Sequence, residues 1–155
     1  MRFTRWWDHS LPQTLTIGAI LLYVNAAFGA MSVLGLGFSS PYELVPFVFL
    51  NRIRTIDGFD AVQTISVFAG TAAYLFAALG IVNSQKIGWK VGVAVAAGAV
   101  LLPVYVHLFV GRLDATYIIS FLFDLALLVA LLHPQSREHQ RIWFHGSSRG
   151  PRPIN

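Results

Sequence analysis

Asp124 is an acid in an unusual place. It lies near the middle of Tyr117–Leu132, YIISFLFDLALLVALL, a run that is otherwise almost wholly apolar. In hydrocarbon a carboxylate costs about 3 kcal/mol or more, so it faces protein or a water-filled cavity. Two chemistries fit such a group. It can be a protonatable or ion-coupling carboxylate on a transport path, or a neutral, hydrogen-bonded acid that fixes the register of neighbouring helices. Asn25 and Thr71 hold comparable positions in two other apolar runs, so Asp124, Asn25 and Thr71 can meet midway, with Asn25 as the natural partner of the acid.

His107 is the second titratable candidate. It follows Pro103 by about one turn, and Pro103 leaves the Ala99 carbonyl without its helix partner, which kinks a helix and opens a polar pocket. The functional reading is a proton relay with Asp124. The structural reading is a histidine at the end of its helix, bonded to Tyr105, Gln63 or Asp60. The depths of His107 and Asp124 differ by ~9 Å, so a relay needs a kink or a water. Haem held by two histidines needs a second one at the same depth, but His9, His133, His139 and His145 all fall toward the opposite side. A metal needs further ligands at ligand spacing, and none stands there. No cofactor and no metal is expected. The chain has no G-x-S-x-G, H-E-x-x-H, P-loop or dinucleotide fingerprint, so soluble-type catalysis has no footing.

The elements that must position these groups follow from composition. Of 155 residues, 55% are apolar and only 12% charged, about half the charged share usual in a soluble domain. Mean hydropathy is +0.62 and the isoelectric point is near 9.9. A soluble chain of this size could not hide so much apolar surface, which makes lipid the expected solvent. The positive charge sits at chain ends and short connections, so anionic lipid headgroups, met through the basic C-terminal tail, are the expected partner and nucleic acid is not. The absence of cysteine removes disulfides, thiolate metal sites and thiol catalysis.

The expected fold is all-α: an up-and-down four-helix transmembrane bundle. Its spans cover about 11–36, 61–82, 87–110 and 115–132, within one membrane domain over 1–145. Ser10 with Gln13, and Asp60 with Gln63, have the spacing of capping boxes, and Pro12 suits a first turn. Arg2 and Arg5 ahead of Ala27-Phe28-Gly29 are compatible with a cleaved signal peptide, but the apolar run is too long and continues past the small residues, so an uncleaved first span is expected. Between spans one and two, Ser40-Pro41-Tyr42-Glu43 opens a segment too short to cross and broken by Pro46. That segment reads as a short interfacial or re-entrant helix, and Pro41, Pro46, Arg52 and Arg54 mark it as a possible partner surface. His133-Pro134 stops the last span. A basic tail follows, in which Ile142-Trp143-Phe144 can dip into the interface, and 146–155 is expected to be disordered.

Four spans put both termini on one side. That side carries Arg2, Arg5, Lys86, Lys90, Arg137, Arg141, Arg149 and Arg152, against Arg52, Arg54 and Arg112 on the other. The positive-inside rule makes the richer side cytoplasmic, in a bacterial plasma membrane. All of Trp6, Trp7, Trp89 and Trp143 fall on that side too. Small residues recur along spans two and three, notably Gly70, Ala73, Ala77, Gly88, Gly92 and Ala96, where helices in lipid touch. The functional reading is a non-catalytic accessory or assembly subunit of a membrane complex, joined to other membrane subunits or to copies of itself. The alternative is a small proton- or ion-coupled transporter built on Asp124. A membrane enzyme using Asp124 or His107 stands third.

Overall fold

The computed structural model describes residues 6–33, 59–110 and 115–144. Among these residues five helices follow in order: α1 (Gln13–Val33), α2 (Phe59–Val82), α3 (Lys86–Val110), α4 (Ala115–Leu132) and α5 (Pro134–Trp143). The described residues contain no strand. The expected helices at 61–82, 87–110 and 115–132 coincide with α2, α3 and α4, within two residues at their starts. The segment with Pro41, Pro46, Arg52 and Arg54, and the tail at 146–155, lie outside the described residues. Among the described residues one helix is long and apolar enough to cross a membrane, over Gln13–Met31 with mean hydropathy 1.6. Phe68–Val82 in α2 and Phe121–Leu132 in α4 are shorter apolar stretches.

The four long helices close a ring: α1 packs on α2 and α4, and α3 packs on the same two. Neighbours run antiparallel. Gly18 near the start of α1 meets Leu131 near the end of α4, and Gly29 near the end of α1 meets Thr71 at the middle of α2. All four meet at Gly92 of α3. There Ala77 and Leu131 stand 3.4 Å, and Leu22 3.6 Å, from where a Cβ would be. Leu15, Ala19, Leu22 and Ala26, spaced three and four apart, form the buried stripe of α1. Tyr74, Ala77, Ala78 and Ile81 of α2, Ala96 of α3, and Leu127 and Leu131 of α4 complete the core.

Glycines set the closest approach. The Gly80 and Gly88 backbones touch, and a methyl on either would overlap the other's main chain. This contact sits beside a turn that the backbone itself closes. The Gln85 amide donates to the Gly80 carbonyl (2.7 Å) and the Ser84 amide to Ile81 (2.9 Å), the paired bonds of a Schellman cap. The cap needs a left-handed residue, and Ser84 takes that conformation at φ 54°.

The outer surface of the ring is apolar on every helix. Ile17, Ile20 and Val24 of α1, Phe68 and Leu75 of α2, Leu101 and Val104 of α3, and Leu122, Phe123 and Val129 of α4 are all at least 40% exposed. A water-soluble monomer rarely leaves so much apolar surface open.

α5 is the element that sequence reading assigned to a tail. His133 and Pro134 do end α4, but they also begin a new helix. Pro134 occupies its first turn, and the His133 side chain accepts a hydrogen bond from the Gln135 amide. Proline is favoured at a first helical position because the missing N–H has no partner there anyway, so the residue that stops one helix starts the next.

Candidate functional site

The site is built where α1, α2 and α4 pack together. Asp124 lies about midway along α4 and is only 2% exposed. The side-chain amide of Asn25, on α1, hydrogen-bonds its carboxyl group. Tyr74, on α2 and 1% exposed, is within electrostatic range of the same carboxyl. Each group reaches this place because its neighbours along the helix also point inward: Leu22 and Ala26 flank Asn25, Ala77 and Ala78 follow Tyr74, and Leu127 follows Asp124. A helix turn brings residues three and four apart onto one face.

Thr71 stands one turn before Tyr74 on α2. Its hydroxyl is buried against Gly29 of α1, which would clash with it if it carried a methyl, and it has no hydrogen-bond partner among the described residues. Asn25 is thus bonded to Asp124, and Thr71 instead packs on Gly29, one turn further along α1. His107 is in the last turn of α3; its side chain lies outside the described residues. Of the small residues singled out for packing, Gly70, Ala77, Gly88, Gly92 and Ala96 are buried, and Ala73 is half-buried.

Tyr74 was missed by sequence reading. It carries a polar tip on a ring that counts as apolar. Its signal was its place three residues after Thr71 and four after Gly70, on the inward stripe of α2. Among the described residues no three of His, Cys, Asp and Glu converge as metal ligands. The site as it stands can hold a proton, accept and donate hydrogen bonds, and lock the relative heights of two helices. Among the described residues it brings no nucleophile and base together.

The second polar region is one end of the ring, where α1 begins, α2 turns into α3 and α4 ends. Helix ends leave carbonyls without partners, and here two of α4's are met by side chains from elsewhere. Trp89 Nε1 of α3 donates to the Leu131 carbonyl at 3.2 Å. Ser136 Oγ of α5 donates to the Ala130 carbonyl at 2.6 Å and lies 2.7 Å from Thr14 Oγ1 of α1. The Ser10 hydroxyl and amide both donate to Asp8 Oδ1, at 2.7 and 2.9 Å, a local turn in place of the capping geometry its spacing with Gln13 suggested. The Tyr23 hydroxyl donates to the Trp6 carbonyl at 3.0 Å, so the leading residues fold back along α1. His139 of α5 stacks on Trp143 at 6.2 Å and meets the edge of Phe144 at 5.9 Å. Burial holds its pKa below the ordinary histidine value, and nearby Asp8 partly opposes that.

No family model, no curated protein and no solved structure matches this chain.

Proposed function

We propose that the chain is a multi-pass membrane protein and serves as a non-catalytic accessory or assembly subunit of a membrane complex. In this reading α1 to α4 cross the bilayer up and down, with both termini on the cytoplasmic side of a bacterial plasma membrane. Their lengths of 21, 24, 25 and 18 residues correspond to about 27 to 38 Å at ~1.5 Å per residue, against a hydrocarbon core of about 30 Å. The exposed apolar side chains on all four helices support lipid as their solvent. α1 does not behave as the core helix of a soluble protein, since only 39% of its apolar stretch is buried. Leu15, Ala19, Leu22 and Ala26 are part of the core, which supports a retained first span over a removable leader.

The observation that carries the subunit reading is the Asn25–Asp124 pair. The acid is buried inside the chain and bonded to a neighbouring helix, which is what a register lock needs. Such a pair fixes helix heights so that the outer faces meet a partner in one arrangement. Thr71 supports the alternative, a small proton- or ion-coupled carrier. A buried hydroxyl with no hydrogen-bond partner among the described residues, one helix turn from Tyr74, is what a polar path would use.

Purification of the full chain in mild detergent, with identification of co-purifying membrane proteins, tests the first reading. The Asp124→Asn variant separates the two. Lost complex assembly or lost folding supports the subunit. An intact, assembled protein whose proton or solute flux in liposomes is abolished supports the carrier and overturns the subunit reading.

A further inference from the structure

We infer that α5, together with the α2–α3 turn at the same end of the ring, is a folded docking surface for the anionic phospholipid headgroups of the bilayer. The inference rests on the membrane reading above and goes further by naming the surface and its ligand.

α5 has two different faces. Its inner face is already used: Ser136 and Gln140 are buried, Ser136 is bonded to α4 and lies against α1, and Phe144 just beyond the helix belongs to the core. Its outer face presents Arg137 and Arg141, both exposed, four apart and so one turn from each other. Ile142 and Trp143, in the last turn of the same helix, are 60% and 61% exposed. Cations next to exposed aliphatic and aromatic side chains are the composition of a helix that lies in the headgroup layer. Guanidinium groups suit phosphate oxygens because their forked donors match them. Trp143 is also held in place, since His139 stacks on it and contacts the buried Phe144.

Charge complementarity selects the occupant. Lys86, Lys90, Arg137 and Arg141 are exposed, and they are the only lysines and arginines among the described residues. All four stand at this end, against Asp8 and Glu138. A soluble acidic partner would satisfy the cations, but it would leave Ile142 and Trp143 with no apolar medium. A bilayer surface satisfies both. Trp89, whose indole is bonded at the same end, fits the same layer.

The test uses the full chain in bilayer nanodiscs of phosphatidylglycerol and phosphatidylcholine in equal amounts. Retained lipids are identified by mass spectrometry of the intact protein. A charge near an anionic surface changes affinity about fivefold. Retention of phosphatidylglycerol over phosphatidylcholine is therefore expected to fall roughly tenfold or more in Arg137→Gln/Arg141→Gln. It is expected to rise in Glu138→Gln, a surface change that does not depend on damaging the fold. Equal retention of both lipids, or a ratio unmoved by both variants, overturns the inference. So does a preference lost only in Lys86→Gln/Lys90→Gln. Washing membranes with alkaline carbonate separates the two levels. Release of the protein into the wash overturns the membrane reading itself, whereas an embedded protein without lipid preference overturns the docking surface alone.

Discussion

Asn25 and His139 show how much single side chains carry here. Removing the Asn25 amide would leave the Asp124 carboxyl buried without its partner. Asn25→Ala is expected to cost about 1 to 2 kcal/mol, read as a lower unfolding midpoint in detergent, while Asn25→Gln loses less. His139 gives a pH dependence with a defined sign. Burial disfavours its charged form, so docked α5 binds a proton less readily than the released segment does. Stability rises with pH wherever the released state holds more protons. Docking of α5 is therefore complete above the ordinary histidine pKa of about 6.5 and weakens as pH falls through it. Emission of Trp143, with Trp6, Trp7 and Trp89 replaced by Phe, should titrate with a midpoint below that value. His139→Gln should flatten the curve, and a midpoint above it would contradict the burial.

At the scale of elements, helices are joined here by contact and by turn geometry more than by side-chain volume. The Gly80–Gly88 contact is backbone on backbone, so no rotamer can move aside. Gly80→Ala should cost about 2 to 3 kcal/mol by forcing α2 and α3 apart. Gly98 is the control. Nothing lies within 4 Å of its missing Cβ, so Gly98→Ala should stabilise α3 by up to ~1 kcal/mol. Ser84 holds a left-handed conformation, φ 54°, that favours glycine, and Ser84→Gly should raise stability by about 0.5 to 1 kcal/mol. Thermal unfolding of the three variants side by side checks all of these, and a Gly80→Ala protein as stable as the parent would refute the close approach.

For the whole molecule, the chain has no cysteine, so single cysteines can map its surroundings without background. In membranes, cysteines at Ile20, Leu122 and Val129 should resist a water-soluble maleimide, and cysteines at Lys86 and Glu138 should react from one and the same side. Rapid labelling at Leu122 and Val129 would mean that water covers the exposed apolar surface, and the bilayer reading would fail.

Much of this was legible in the residues themselves. Helix existence and limits follow from long apolar runs bounded by proline, glycine and polar turns, since local chemistry decides where a helix starts and stops. The charge and tryptophan placement that sets the sidedness proposal is also local information. Packing is not. Asn25 and Asp124 are ninety-nine positions apart (124 − 25), and only the ring of helices brings them into one hydrogen bond. Tyr74 comes within electrostatic range of the acid because α2's inward face is chosen by its neighbours and not by its own polarity. α5 required the fold most of all. Its sequence is polar and short, with little helical stability of its own, and it holds its place because the ends of α1 and α4 supply the partners for Ser136 and the core takes in Phe144.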